Sequence, residues 1–166
     1  MHRAVSLSLA LSLLVQGPAF AASCLQEHAI YEDVDGAYEL RFEPVGSQSA
    51  VTSNHFKLDI YESGTVVDGI VQRSDELFRP NGMLMFNCPE GDATGAEIAA
   101  CTIWEGEIYA IDDKGTVDPL PQEGGEAATQ LLFTGLGTAI RNSVLWETRK
   151  ATVVPWDVMK LRGCKP

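Results

Sequence analysis

Apolar and polar residues alternate along much of this chain. In "AYELRFEPV", Tyr38, Leu40 and Phe42 face one way and Glu39, Arg41 and Glu43 the other, and "HFKLDIY" repeats the pattern with Phe56, Leu58 and Ile60. A period of two marks a half-buried strand. "ESGT" is followed at once by "VVDGIVQR", so residues 54–73 predict a hairpin turning at Ser63-Gly64. "RPNG" reads as a turn before "MLMFNC", "CTIWEGEIYAI" as a long strand, "DDKG" as a tight turn with a glycine bulge, and "TVDPLPQEGGE" as a loop. "ATVVPWDVMKLRGC" is extended, with Pro155 directing it towards an edge or a bulge. Residues 126–146 are ambiguous: "EAATQLLF" fits a helical turn or a strand, and "LGTAIRNS" fits one short helix.

Seven or eight short strands separated by turn signals predict an all-β chain. The expected form is a small antiparallel barrel or sandwich, loosely lipocalin-like in architecture, with at most one or two short helices. The lipocalin Gly-x-Trp signature is absent, "GAY" at Gly36 to Tyr38 standing in its place.

The first residues break the alternation. Arg3, the uncharged run from Ala4 to Val15, the Gln16-Gly17-Pro18 break and the small-x-small Ala19-Phe20-Ala21 form a secretory signal. Cleavage after Ala21 is expected, leaving a single domain over 22–166. The apolar run is too short to span a bilayer. Cys24 raises the alternative of a lipidated N-terminus, but "AASC" places Ala21 where lipoprotein signals carry leucine. The expected destination is the periplasm or the medium, with no membrane insertion after cleavage.

About 145 mature residues suffice for one real core. The full chain carries 12 Lys+Arg against 23 Asp+Glu; removing Arg3 leaves 11 against 23, a net charge of −12. That acidity disfavours nucleic acid and anionic membranes and suits a cationic partner.

Four cysteines in an exported chain read as two disulfides with three possible pairings. Cys24 and Cys164 sit at the ends of the mature chain, while Cys88 and Cys101 flank "PEGDATGAEIAA". The simplest pairing joins the ends and clamps the loop. The end-to-end pair also favours a closed barrel, in which first and last strands are neighbours. Zinc would need close Cys-x2-4-Cys pairs or two nearby histidines, and a redox site would need Cys-x-x-Cys; neither spacing occurs.

No other motif carries chemistry. Asp33-x-Asp35-Gly36 is half a calcium loop, with Tyr31 and Phe42 where acids are required. "GLG" at 135–137 lacks the third glycine of a dinucleotide site. There is no Gly-x-Ser-x-Gly and no His-Glu-x-x-His. His55 shares a strand face with Lys57 and Asp59, and Glu105 and Glu107 share another. No catalytic residue, metal ligand or cofactor is assigned, and a hydrolase is the weakest reading.

The expected function is therefore that of an exported, non-enzymatic binding or interaction protein. One form is a carrier of a small apolar ligand, with Met83, Met85 and Trp104 lining a barrel cavity. The other binds a cationic protein, as periplasmic lysozyme inhibitors do; these are similarly small, acidic, β-rich and disulfide-tied. One family of them carries Ser-Gly-x-x-Tyr, whereas Ser63-Gly64 here precedes Thr65-Val66-Val67. The candidate partner contact is the clamped loop, through Glu90, Asp92 and Glu97. A surface insertion whose disulfide protects only the fold is the plainer account of that loop.

Overall fold

The computed structural model describes residues 24–46, 51–73 and 79–165. The expected leader, Met1 to Ala21, lies outside the described residues.

A 3-10 turn at Gln26–His28 leads into nine strands among the described residues. They are β1 (Ala29–Asp33), β2 (Tyr38–Glu43), β3 (Thr52–Ile60), β4 (Thr65–Gln72), β5 (Asn81–Met85), β6 (Thr102–Ile111), β7 (Val117–Pro119), β8 (Gln130–Phe133) and β9 (Val158–Cys164). Three short helices interrupt them: α1 (Gly95–Cys101), α2 (Leu136–Arg141) and α3 (Val144–Glu147).

Every strand pairing is antiparallel, in the order β5-β4-β3-β2-β1-β9-β8-β6-β7, and a further β5–β6 pairing closes the sheet. The result is an eight-stranded barrel with β7 as an extra strand on β6. The expected barrel is the one found. Closure leaves the barrel wall no free edge, which antiparallel sheets otherwise expose to aggregation.

Alternation decides what fills it. Inward positions of β2, β3 and β4 include Leu40, Leu58 and Val67 in one register row and Phe42, Phe56 and Gly69 in the next. A chain of rings crosses the lumen, Tyr31–Phe42–Phe56–Phe133–Trp104, with successive centroids 5.8, 5.6, 5.9 and 5.5 Å apart. Such tilted and edge-on contacts suit the aromatic quadrupole. Two of the rings lie over glycine. A Cβ on Gly69 would meet the Phe56 ring at 2.2 Å, and one on Gly82 or Gly106 would meet the Trp104 indole at 2.8 Å. This is why Asn81-Gly82, expected in a turn, instead opens β5: Gly82 faces Gly106 beneath the indole.

Up-and-down order divides the connections between two rims. At one rim lie the β1–β2 turn, the β3–β4 turn at Ser63-Gly64, the β5–β6 connection and the β8–β9 connection with α2 and α3. Leu136, Ile140, Leu145 and Ala151 are buried there and close that end. At the other rim Leu120 is buried, Asn54 donates to Pro121 O at 3.0 Å, and the Tyr31 hydroxyl donates to Ala128 O at 3.0 Å.

Both expected disulfides are formed, Cys24–Cys164 with Cα atoms 5.7 Å apart and Cys88–Cys101 at 5.2 Å. Such bonds are compatible with an oxidising compartment. No helix among the described residues is long and apolar enough to cross a membrane.

Candidate functional site

The clamped segment stands on the outside of the wall. The Phe86 amide donates to Cys101 O at 2.9 Å, so the disulfide and a backbone bond both close its base. Half of the loop is helical. Thr94 caps α1 through a capping box: its hydroxyl accepts from Glu97 N, and the Glu97 carboxylate accepts from Thr94 N at 2.8 Å. No residue of α1 is buried, so the cap and the clamp hold it in place of a core. Thr94-x-x-Glu97 is the sequence signature of this helix. Glu97 is thus occupied within its own helix, and the Thr94 backbone N–H holds its carboxyl below the usual range. Glu90 is exposed, and Asp92 lies at the turn before the helix.

Two external grooves flank the clamp. One, of about 380 Å³, is lined by Met83, Ile98, Ile103, Trp104 and Glu105. The other, of about 340 Å³, is lined by Val66, Asp68, Met85, Phe86 and Glu90. Met83 and Met85 alternate with the buried Gly82 and Leu84 and therefore stand on the outer face. Trp104 points the opposite way, into the aromatic chain, and its indole N–H donates to Thr134 O at 2.9 Å. Met83 and Trp104 both border the first groove, Trp104 with its ring turned inward, while Met85 borders the second.

The other candidates have structural partners. Asp33 turns inward and caps the first hairpin, its Oδ1 accepting from Ala37 N at 2.8 Å and Tyr38 N at 3.0 Å. Asp35 faces elsewhere and accepts from the Trp156 indole at 2.9 Å. The amides of Gly135 and Gly137, the ends of the lone Gly-x-Gly, donate to the Asp157 carboxylate at 3.1 and 2.8 Å. That small anion cradle already holds an anion of the chain itself. Glu105 accepts from Asn81 at 2.8 Å. Glu107 accepts from Tyr109 and Arg79, which hold its carboxyl below the usual range, the wrong direction for a general acid at neutral pH.

A feature that the pattern of alternation does not mark lies on the rim that α2 and α3 close. The strap Ala151–Asp157 crosses this rim and is tied along its length. The Ala151 amide donates to Leu145 O at 3.0 Å, the Thr152 hydroxyl to Glu62, and the Tyr38 hydroxyl to Val153 O at 2.5 Å. Phe133 N donates to Asp157 O at 2.7 Å. On this rigid strap Val153, Val154 and Trp156 point outward, 41%, 42% and 55% exposed, and the Trp156–Asp35 bond brings them to Val34, 57% exposed. Among the described residues nine large apolar side chains are exposed. Seven of them (Val34, Tyr61, Val66, Val144, Val153, Val154 and Trp156) belong to this end of the barrel, leaving Val51 and Val117 at the other. The signal in the sequence was "VVPWDV": four large apolar residues around a proline, in no period.

Comparison with protein-family models, with curated proteins and with solved structures finds no match.

Proposed function

We propose that the chain is an exported, non-enzymatic binding protein that acts through its outer surface, the barrel serving as a rigid scaffold. The observation that carries this reading is the aromatic chain from Tyr31 to Trp104, which occupies the lumen where a carrier would hold its ligand. An eight-stranded barrel has room for side chains or for one small ligand. Here the rings take that space, and the described apolar residues that remain exposed gather at one rim. Paired cysteines support a periplasmic or secreted location.

The test has two arms. Immobilised protein is exposed to the soluble exported fraction of its source at low and at high salt. Salt-sensitive, saturable retention of one protein is expected, and none at either salt would end the reading. In the second arm Trp146 and Trp156 are changed to Phe, so that Trp104 reports alone. A series of apolar small molecules should leave its emission unchanged. A saturable one-to-one change would favour the carrier form instead. A basic enzyme such as lysozyme is the sharper alternative partner, and unaltered muramidase activity in the presence of excess protein removes it.

A further inference from the structure

We infer that the rim formed by Val34, Val153, Val154 and Trp156 docks a cationic protein, the Trp156 indole entering an apolar pocket of that partner. This rests on the surface-binding reading above and names its site and its partner class. Three observations carry it.

The first is exposure. Trp156 is 55% exposed on a strap whose Ala151 is buried and whose Val153 carbonyl accepts from the buried Tyr38. Large exposed aromatic residues in contiguous apolar surroundings are the usual anchors of protein contacts.

The second is rigidity. The indole N–H is fixed by Asp35, and the backbone beneath is held by Tyr38, Phe133 and Leu145. Gly137 packs so closely that a Cβ there would lie 2.6 Å from Pro155 O. An anchor held in this way loses little freedom on binding, which is how pre-organised loops gain affinity.

The third is charge. Asp35 bonds to Trp156, and Glu62 bonds to Thr152, so two carboxylates sit against the apolar patch itself. Among the described residues neither forms an ion pair; the basic side chains that do are Arg41, Lys57, Arg79, Arg162 and Lys165. The rim connections carry three cations, Arg141, which stacks on Trp146 at 4.4 Å, Lys150, which lies 5.7 Å from the Phe86 ring centroid, and the exposed Arg149, against the carboxylates of Asp35, Glu62, Glu90, Asp92, Glu97, Glu147 and Asp157. Apolar centre and anionic border together call for a partner with Lys or Arg around an apolar pocket. A second copy of this chain would bring the same carboxylates against them, and an anionic bilayer would repel them.

The experiment places a photoreactive amino acid, one at a time, at Val153 on the rim, Asp92 on the clamp and Val117 at the opposite end, in the full chain expressed in its own host. The expected result is an adduct with one basic protein from position 153 and none from 117. Adduct yield should fall at least tenfold when Trp156→Ser is added, and likewise with Val34→Ser, which lies far away in sequence. Asp35→Asn with Glu62→Gln keeps both hydrogen-bond acceptors and should lower the yield and its salt dependence together. Trp156 is half exposed, so the melting temperature of its variant serves as the folding control. Adducts from position 92 alone would overturn the rim inference while sparing the surface-binding reading. Adducts from none of the three positions would overturn both. An acidic partner, or yield indifferent to both Trp156→Ser and Val34→Ser, would also refute the assignment.

Discussion

Gly69→Ala adds a single methyl group to a strand, and the barrel should not tolerate it. Gly69 faces Phe56 across the β3–β4 pair, and a Cβ there would lie 2.2, 2.4 and 2.5 Å from three atoms of the ring. Carbon atoms pack at about 3.5–4.0 Å, so the ring must retreat by about 1 Å. It has nowhere to go, being 1% exposed with the Phe42 and Phe133 centroids 5.6 and 5.9 Å away. Forcing a methyl into such a core costs about 1–3 kcal/mol. Alanine also restricts the unfolded backbone, which offsets roughly 0.5–1 kcal/mol. The midpoints leave a net loss of about 1 kcal/mol, or roughly 2–4 °C in Tm for a domain of this size. Thermal and urea unfolding followed by circular dichroism will measure it. Phe56→Leu supplies the decisive control, because without the ring Gly69→Ala should be neutral or stabilising. A Gly69→Ala protein that melts at or above the parent would refute the reasoning, as would an equal loss in both backgrounds.

Three further outcomes follow from other parts of the molecule. Loop-closure entropy gives about 3 kcal/mol for the 13-residue separation of Cys88–Cys101 and about 5 kcal/mol for the 140-residue separation of Cys24–Cys164. Serine pairs should therefore lower the urea midpoint more at the chain ends than at the clamp, and the reverse order would contradict the model. Burial pushes the Tyr38 hydroxyl up to about 12 and shifts Tyr31 in the same direction. Their contribution to stability is complete below pH 10, declines as the unfolded tyrosines ionise above it, and is lost as pH rises through the folded values. Phenolate absorbance should accordingly show two of the four tyrosines titrating only as the barrel unfolds. Thr94→Ala removes one half of the capping box, a loss of about 1 kcal/mol confined to α1. Amide exchange in Gly95–Cys101 should accelerate while the global Tm stays within a degree or so of the parent.

Much of the wall was legible because its inward residues are apolar and its outward residues charged. β2 and β3 follow that rule most closely, β4 and β6 keep the alternation with some apolar residues outward, and Gly64, at φ 64°, makes the expected turn. β1 inverts it. Ala29, Tyr31 and Asp33 face inward while Ile30 faces out, so "AIYED" carries no clear strand signal. Asp33 is buried because the first hairpin needs its carboxylate as a cap, a demand that no periodicity expresses. Between 126 and 146, β8 pairs with β6 and β9 over only four residues, too few for a period to show. β7 is three residues inside a proline-rich loop. Met83 and Met85 share a face because they lie two apart on a strand, but which face depends on Gly82 and Leu84 taking the lumen. The rim patch was the least legible, since Val34 and Trp156 meet only through a bond across 121 residues.

The Cys24–Cys164 bond has a mechanical consequence. Ala29 and Cys164 face one another at the seam where the first and last strands pair. Without the bond, tension between residues 24 and 164 would peel β9 from β1 one backbone pair at a time, the weakest direction in which a sheet can be loaded. With it, the load crosses a single covalent link and the strands carry none. The seam is then opened by a reductant rather than by a pull, and the rim that bears Trp156 remains out of the line of force.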